Sequence, residues 1–212
     1  RVALARALAP EPRLLMLDEP LGSLDQALRQ RLLQDVKAIL AASGQTSLYV
    51  THDQEEAYEV ADRIVLLRQG RVAQIGTPEE LYAQPASTFV ARFLGLENLM
   101  DVELESIDGA AVAHSPLGDF KLEQPLEPGP YQLLIRPEAA RLDRNGGVRL
   151  SGRVQSRQFR GSTTWLEVEV NGQRLGFEFL AGQTLPAVGE QLSLSLDPEQ
   201  AIQLLPKVGP SG

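Results

Sequence analysis

The chain has 212 residues, a formal net charge of -8, no cysteine and only two histidines, His52 and His114. This length makes one large domain or two small ones. The missing cysteines exclude disulfide scaffolds, thiolate zinc sites and thiol catalysis, and the acidic balance argues against nucleic-acid binding, which needs a basic footprint. Neither half is basic: residues 1–98 carry ten Lys/Arg against thirteen Asp/Glu, and residues 99–212 carry ten against fifteen.

In chain order, Arg1–Ala9 reads as a helix stopped by Pro10 and Pro12. Arg13–Leu17 ends in a short apolar run, the pattern of a strand buried on both faces. Gln26–Ala42 places Leu28, Leu32, Leu33, Val36, Ile39 and Leu40 at helical spacing, with Asp25 as N-cap and Gly44 as terminator. Ser47–Val50 is a second buried strand, and Gln54–Ala61 a helix whose first turn holds Glu55 and Glu56, where the helix dipole favours acids. Ile64–Leu67 and Arg71–Ile75 pair through a Gln69-Gly70 turn. Thr77 then caps another helix, with Pro78 at its first position and Glu80 closing a capping box. Alternating strands and helices predict a mostly parallel sheet covered by helices.

Beyond residue 98 the helical signal fades. Asp101–Ile107, Ala110–His114, Phe120–Leu122, Tyr131–Ile135, Val148–Gln158, Thr163–Val170, Arg174–Phe179, Gln191–Leu196 and Ala201–Leu205 read as short strands. Asp108-Gly109, Asn145-Gly146-Gly147, Asn171-Gly172 and Val188-Gly189 supply the turns. This spacing predicts a small all-β barrel or sandwich, with Phe159, Trp165, Phe177 and Phe179 in its core by their alternation with polar residues. The division falls near Gly95–Asn98, giving two domains, 1–98 and 99–212. No apolar run approaches the roughly 18–20 residues that span a bilayer. The chain opens without Met and inside a helical pattern, so it is expected to be part of a longer protein.

The chemistry concentrates in Leu14-Leu15-Met16-Leu17-Asp18-Glu19-Pro20, two acids at the carboxyl end of an apolar strand, where open α/β sheets bind ligands. An Asp there can hold Mg²⁺ beside nucleotide phosphates, and the adjacent Glu can polarise a water. The same pattern also fits a strand surfacing into a turn, with both acids solvated. Thr51-His52-Asp53 ends the next strand, and parallel pairing would bring His52 beside Asp18 and Glu19.

With these motifs in order, residues 1–98 resemble the nucleotide-binding domain of ABC transporters. Arg1–Leu8 resembles the helix after the signature motif, Leu14–Glu19 the Walker B strand with its catalytic Glu, Gly22-Ser23-Leu24-Asp25 the D-loop and Thr51-His52-Asp53 the switch loop. Asp62-Arg63-Ile64, Gly70-Arg71 and Gly76-Thr77-Pro78 continue the pattern. Gln74 through Leu81-Tyr82, Pro85, Phe89-Val90-Ala91, Phe93-Leu94-Gly95 and Asn98 resemble the importer subgroup serving sugars, polyamines, ferric iron, sulfate, molybdate or thiamine. That subgroup carries a β-rich, OB-like regulatory extension of the TOBE type, whose recurring Arg-Pro-Glu resembles Arg136-Pro137-Glu138.

The resemblance implies an ATP-hydrolysing importer subunit: an α/β ATPase part followed by an all-β TOBE domain. Asp18 would hold Mg²⁺ through water and, with Glu19 and His52, contact the nucleotide; Glu19 and His52 would be catalytic; Gly22, Ser23, Leu24 and Asp25 would couple two ATP sites across a homodimer. ATP and Mg²⁺ would be the cofactors of the full-length protein. Its partners would be transmembrane permease subunits and, indirectly, a solute-binding protein, placing it on the inner face of the plasma membrane. Dimer contacts would involve both domains. The stretch Phe93–Leu99 is slightly similar to ferric-iron and thiamine systems. A phosphate-cradling Gly-x-x-x-x-Gly-Lys motif does not occur among Lys37, Lys121 and Lys207, so the chain by itself is expected to be inactive. The competing expectation is a ligand-binding sensor or dimerisation module.

Overall fold

The computed structural model describes residues 2–22, 24–107, 110–122, 126–142 and 147–207. The turn positions Asp108-Gly109 and Asn145-Gly146, and Ser23, lie outside the described residues. The chain divides into two compact units, Arg1–Gln84 and Pro85–Gly212.

The first unit runs α1 (Val2–Leu8), β1 (Leu15–Asp18), α2 (Gln26–Ser43), β2 (Ser47–Val50), α3 (Gln54–Val60), β3 (Ile64–Arg68), β4 (Arg71–Gly76) and α4 (Pro78–Ala83). Strands β1 and β2 pair in parallel, from Leu15 opposite Ser47 to Asp18 opposite Val50. Strands β3 and β4 form the antiparallel hairpin, turning at Gln69 and Gly70, both with positive φ. The caps follow the sequence. Asp25 accepts the Leu28 amide, Gly44 ends α2 in the left-handed region, and Thr77 and Glu80 make the reciprocal capping box under Pro78.

Burial departs from the sequence expectation. Leu15 and Leu17 point to the covered side of β1, but Met16 is 67% exposed, and Leu48 and Val50 beside it on β2 are also exposed. These strands are covered on one face, not two. A continuous apolar run marks a strand that can be buried on both sides; it takes a second layer to do so.

The second unit begins with α5 (Thr88–Phe93), capped by Ser87. Then come β5 (Leu99–Ile107), β6 (Ala110–Ser115), β7 (Gly118–Leu122), β8 (Gly129–Ile135), a 3-10 turn (Pro137–Ala139), β9 (Arg141–Leu142), β10 (Val148–Phe159), β11 (Thr163–Val170), β12 (Gln173–Leu180), β13 (Gln191–Leu196), α6 (Pro198–Ala201) and β14 (Ile202–Pro206). Two five-stranded antiparallel sheets result, ordered β12-β11-β10-β13-β9 and β14-β8-β5-β6-β7. Their inward side chains form one core, including Val102, Phe120 and Ile135 from one sheet and Val154, Leu166 and Phe177 from the other. Phe177 and Phe179 are buried as expected. Phe159 is not: it is 71% exposed, at the end of β10.

The division lies nearer the N-terminus than residue 98 because the segment before β5 belongs to the second unit. Asn98 is buried, and its side chain grips β12: Nδ2 donates to the Gly176 carbonyl and Oδ1 accepts the Gly176 amide, both at 2.7 Å. β12 is an edge strand, and the Asn98 amide satisfies its open backbone groups as a neighbouring strand would. The Trp165 ring lies against Gly176, where a β-carbon would overlap it.

Candidate functional site

The parallel register brings the carboxyl ends of β1 and β2 to the same level, and the ladder extends one residue further, since the Glu19 amide donates to the Val50 carbonyl at 2.9 Å. Both chains then turn sharply. Glu19 adopts φ 42, a left-handed conformation unusual for a side-chain-bearing residue, and the Gly22 amide closes back on its carbonyl at 3.2 Å. On the other side, the Asp53 amide donates to Thr51 Oγ1 at 3.0 Å, while Asp53 Oδ1 accepts the Glu55 and Glu56 amides as the cap of α3. These two turns leave His52 Nδ1 3.0 Å from Glu19 Oε1. An ionised carboxylate only accepts, so this contact places the ring proton on Nδ1. Both side chains are open to solvent, His52 at 77% and Glu19 at 53%.

The remaining candidates are arranged around this pair. Asp18 is exposed at the same strand end, on the bare face shared with Met16 and Val50. Gly22 and Leu24 form the turn into α2, with the Leu24 amide donating to Leu21, and Asp25 caps that helix. Ser23 lies outside the described residues. Asp25 thus has a structural task at 3.0 Å from the Leu28 amide, whatever else it does.

Sequence reasoning passed over the group behind His52. Glu56, placed by its first-turn position among acids serving the helix dipole, is instead 2% exposed. Its Oε2 accepts from the Tyr49 hydroxyl at 3.0 Å and the Thr51 hydroxyl at 2.9 Å, and its Oε1 lies 3.9 Å from Arg29 Nε. Burial, reinforced by Glu56, pushes the Tyr49 phenol well above its ordinary range, so Tyr49 stays a donor. Arg29 also donates from Nη1 to Asp53 Oδ2 at 3.2 Å and from Nη2 to the Leu24 carbonyl at 3.1 Å. Arg29, Gln30, Leu33 and the stretch from His52 to Glu56 line a groove of about 480 Å³. The available signal was alternation: Tyr49 of β2 and Thr51 just beyond it are half-buried, in alternation with the exposed Leu48 and Val50, and a polar residue there needs a partner.

Among the described residues no group of three or more His, Cys, Asp or Glu is arranged to hold a metal ion. Asp18 fits Mg²⁺ only as one ligand. That suits a cation which keeps its waters and takes one or two carboxylates plus substrate phosphates.

Residues 133–204, from within β8 into β14, match the TOBE domain. Over 200 residues the chain is 46% identical to the Fe(3+) ions import ATP-binding protein FbpC of Streptomyces avermitilis, covering 93% of this chain and 56% of that protein. The protein of the same name from Streptomyces coelicolor is 42% identical over 205 residues, covering 96% and 57%. The spermidine/putrescine import ATP-binding protein PotA 1 of Pseudomonas aeruginosa is 45% identical over 170 residues, covering 76% and 45%. The chain spans about half the length of the curated relatives it matches.

Proposed function

We propose, on the premise that this chain belongs to the ATP-binding subunits of ABC importers that carry a TOBE domain, that Glu19 and His52 form the hydrolytic corner of an ATP site in the full-length protein. The observation that supports this reading is their 3.0 Å contact at the paired ends of two parallel strands. Glu19 accepts the His52 Nδ1 proton with one oxygen and keeps the other for an attacking water, which it orients and deprotonates. In the neutral ring Nε2 is a lone pair; once the ring is protonated, Nε2–H donates to a phosphate oxygen while Nδ1 keeps its hold on Glu19. Mg²⁺, held by Asp18 with phosphates and water, would neutralise charge on the nucleotide. Gly22–Asp25 carries the coupling between two such sites in a homodimer.

Work is delivered to transmembrane permease subunits on the cytoplasmic side of the membrane, and the TOBE-containing unit serves as a dimer-contact and packing module. Relatives named for import of Fe(3+) ions and of spermidine/putrescine are similar to this chain at 46% and 45% identity, and both names support the importer reading. The test is Glu19→Gln in the full-length protein. ATP turnover should fall by roughly two or more orders of magnitude, as when a water-positioning group is lost, with bound ATP retained. A variant that hydrolyses at the normal rate removes Glu19 from this role.

A further inference from the structure

Arg29 lies in the first turn of α2, where a cation opposes the helix dipole. Its position is therefore not explained by stabilising its own helix. What it does instead is join two loops. Nη2 donates to the Leu24 carbonyl in the turn after β1, and Nη1 donates to Asp53, the neighbour of His52 in the turn after β2. Nε stands 3.9 Å from buried Glu56, which in turn holds Tyr49 and Thr51 of the β2 end. The two turns thus meet twice: at Glu19–His52 in the open, and at Arg29 behind it. Beside the groove the Arg29 side chain is 29% exposed, with Nε itself buried, and these bonds add to packing in fixing its direction.

We infer that Arg29 is a positioning residue: its fork clamps the chain at Leu24, ahead of α2, to the Thr51–Asp53 turn and so keeps His52 against Glu19 through the reaction. The inference rests on the reading of Glu19 and His52 as the hydrolytic pair. A planar fork suits this task because it meets two acceptors in different directions, a carbonyl and a carboxylate, in fixed geometry; the three donors of an ammonium on its flexible stem fix neither direction. Asp53 has two separable tasks, capping α3 through Oδ1 and receiving Arg29 through Oδ2. Asparagine preserves the cap and removes the charge.

The experiment is steady-state ATP turnover by the full-length protein with its permease partners, comparing Arg29→Ala, Arg29→Lys, Asp53→Asn and Glu19→Gln, with a thermal melt on each preparation. Arg29→Ala should lower kcat about 10- to 100-fold with KM for ATP within about twofold, because misplacement acts on the transition state and not on uniform binding. Arg29→Lys and Asp53→Asn, which melt close to the wild type, should each lose about three- to tenfold in kcat, and the Arg29→Ala/Asp53→Asn double variant should lose no more than Arg29→Ala. Full kcat in Arg29→Ala, full rescue by lysine, or a loss carried by KM overturns the clamp while a dead Glu19→Gln leaves the hydrolytic pair standing. Normal turnover by Glu19→Gln overturns the hydrolytic pair and the clamp with it.

Discussion

The two units use the same kind of strand to different ends. In the second, sheet faces sheet, and side chains such as Phe120, Leu133 and Phe177 lose all contact with solvent. In the first, the apolar residues of β1 and β2 are covered on one side and bare on the other, and the hairpin leaves Val65, Leu67, Val72 and Ile75 exposed as well. Apolar sequence is therefore a capacity for burial, and the layer opposite decides whether it is used. Phe177→Ala, in the closed core, should cost about 3–5 kcal/mol through transfer and cavity. Leu48→Ala, on the bare face, should stay within about 0.5 kcal/mol. Urea unfolding followed by the single tryptophan, Trp165 on β11, reads the first effect, and far-ultraviolet circular dichroism the second. Equal losses at the two positions would break the contrast.

A smaller effect tests how the second unit protects β12, one of the edge strands of its sheets. Asn98→Ala leaves the Gly176 amide and carbonyl without their partner, at a cost of about 1–3 kcal/mol for buried groups. Asn98→Asp should be as damaging, because a carboxylate cannot donate to the Gly176 carbonyl. Gly176→Ala drives a methyl against Trp165, an overpacking penalty of about 1–3 kcal/mol, and should also shift the emission of that ring. Wild-type stability in Asn98→Ala would mean that β12 needs no partner on its outer edge.

Local rules carried most of the reading. Asp25, Gly44, Thr77, Pro78 and Glu80 announce helix ends by chemistry contained within a few residues, and Asn171-Gly172 turns its hairpin with both φ values positive, as that pair favours. The antiparallel strands of the second unit followed from their alternation. What stayed hidden depends on contacts distant in sequence. Asn98 and Gly176 are 78 positions apart, Arg29 and Asp53 are 24 apart, and nothing in either local stretch names the other. Phe159 is out of step with the inward Leu150 and Val154, and the register shift between Val154 and Ser156 that sets it opposite Thr164 has no signal in the local stretch; at the end of β10 it stays exposed. Glu19 and His52 were legible as neighbours because parallel pairing of two adjacent strands follows from the motif order, and β1 and β2 do pair in parallel.

The smallest effect concerns the other histidine. His114 on β6 has Asp119 of β7 at 2.8 Å from Nδ1 and Glu105 of β5 at 3.5 Å from Nε2, with Glu103 directly across the β5 ladder. Two ionised carboxylates can be served from both ring nitrogens only by the imidazolium. The hydrogen bond that Nδ1–H donates to Asp119 accordingly raises the His114 pKa above its ordinary value, with Glu105 adding to it. A folded-state pKa above the unfolded one gives stability that is fully present below about pH 6.5 and is lost as pH rises through the folded value. The ring is open to solvent, so screening keeps the gain small, and its place of action is local: β7 is an edge strand. Proton NMR of the two imidazoles, assigned with His114→Gln, should show His114 titrating above the ordinary histidine range. Amides of Gly118–Leu122 should lose protection through the same interval, beyond the intrinsic rise of exchange with pH. A midpoint at or below the ordinary value would mean that the carboxylates are too well hydrated to hold the proton, and that β7 draws no support from His114.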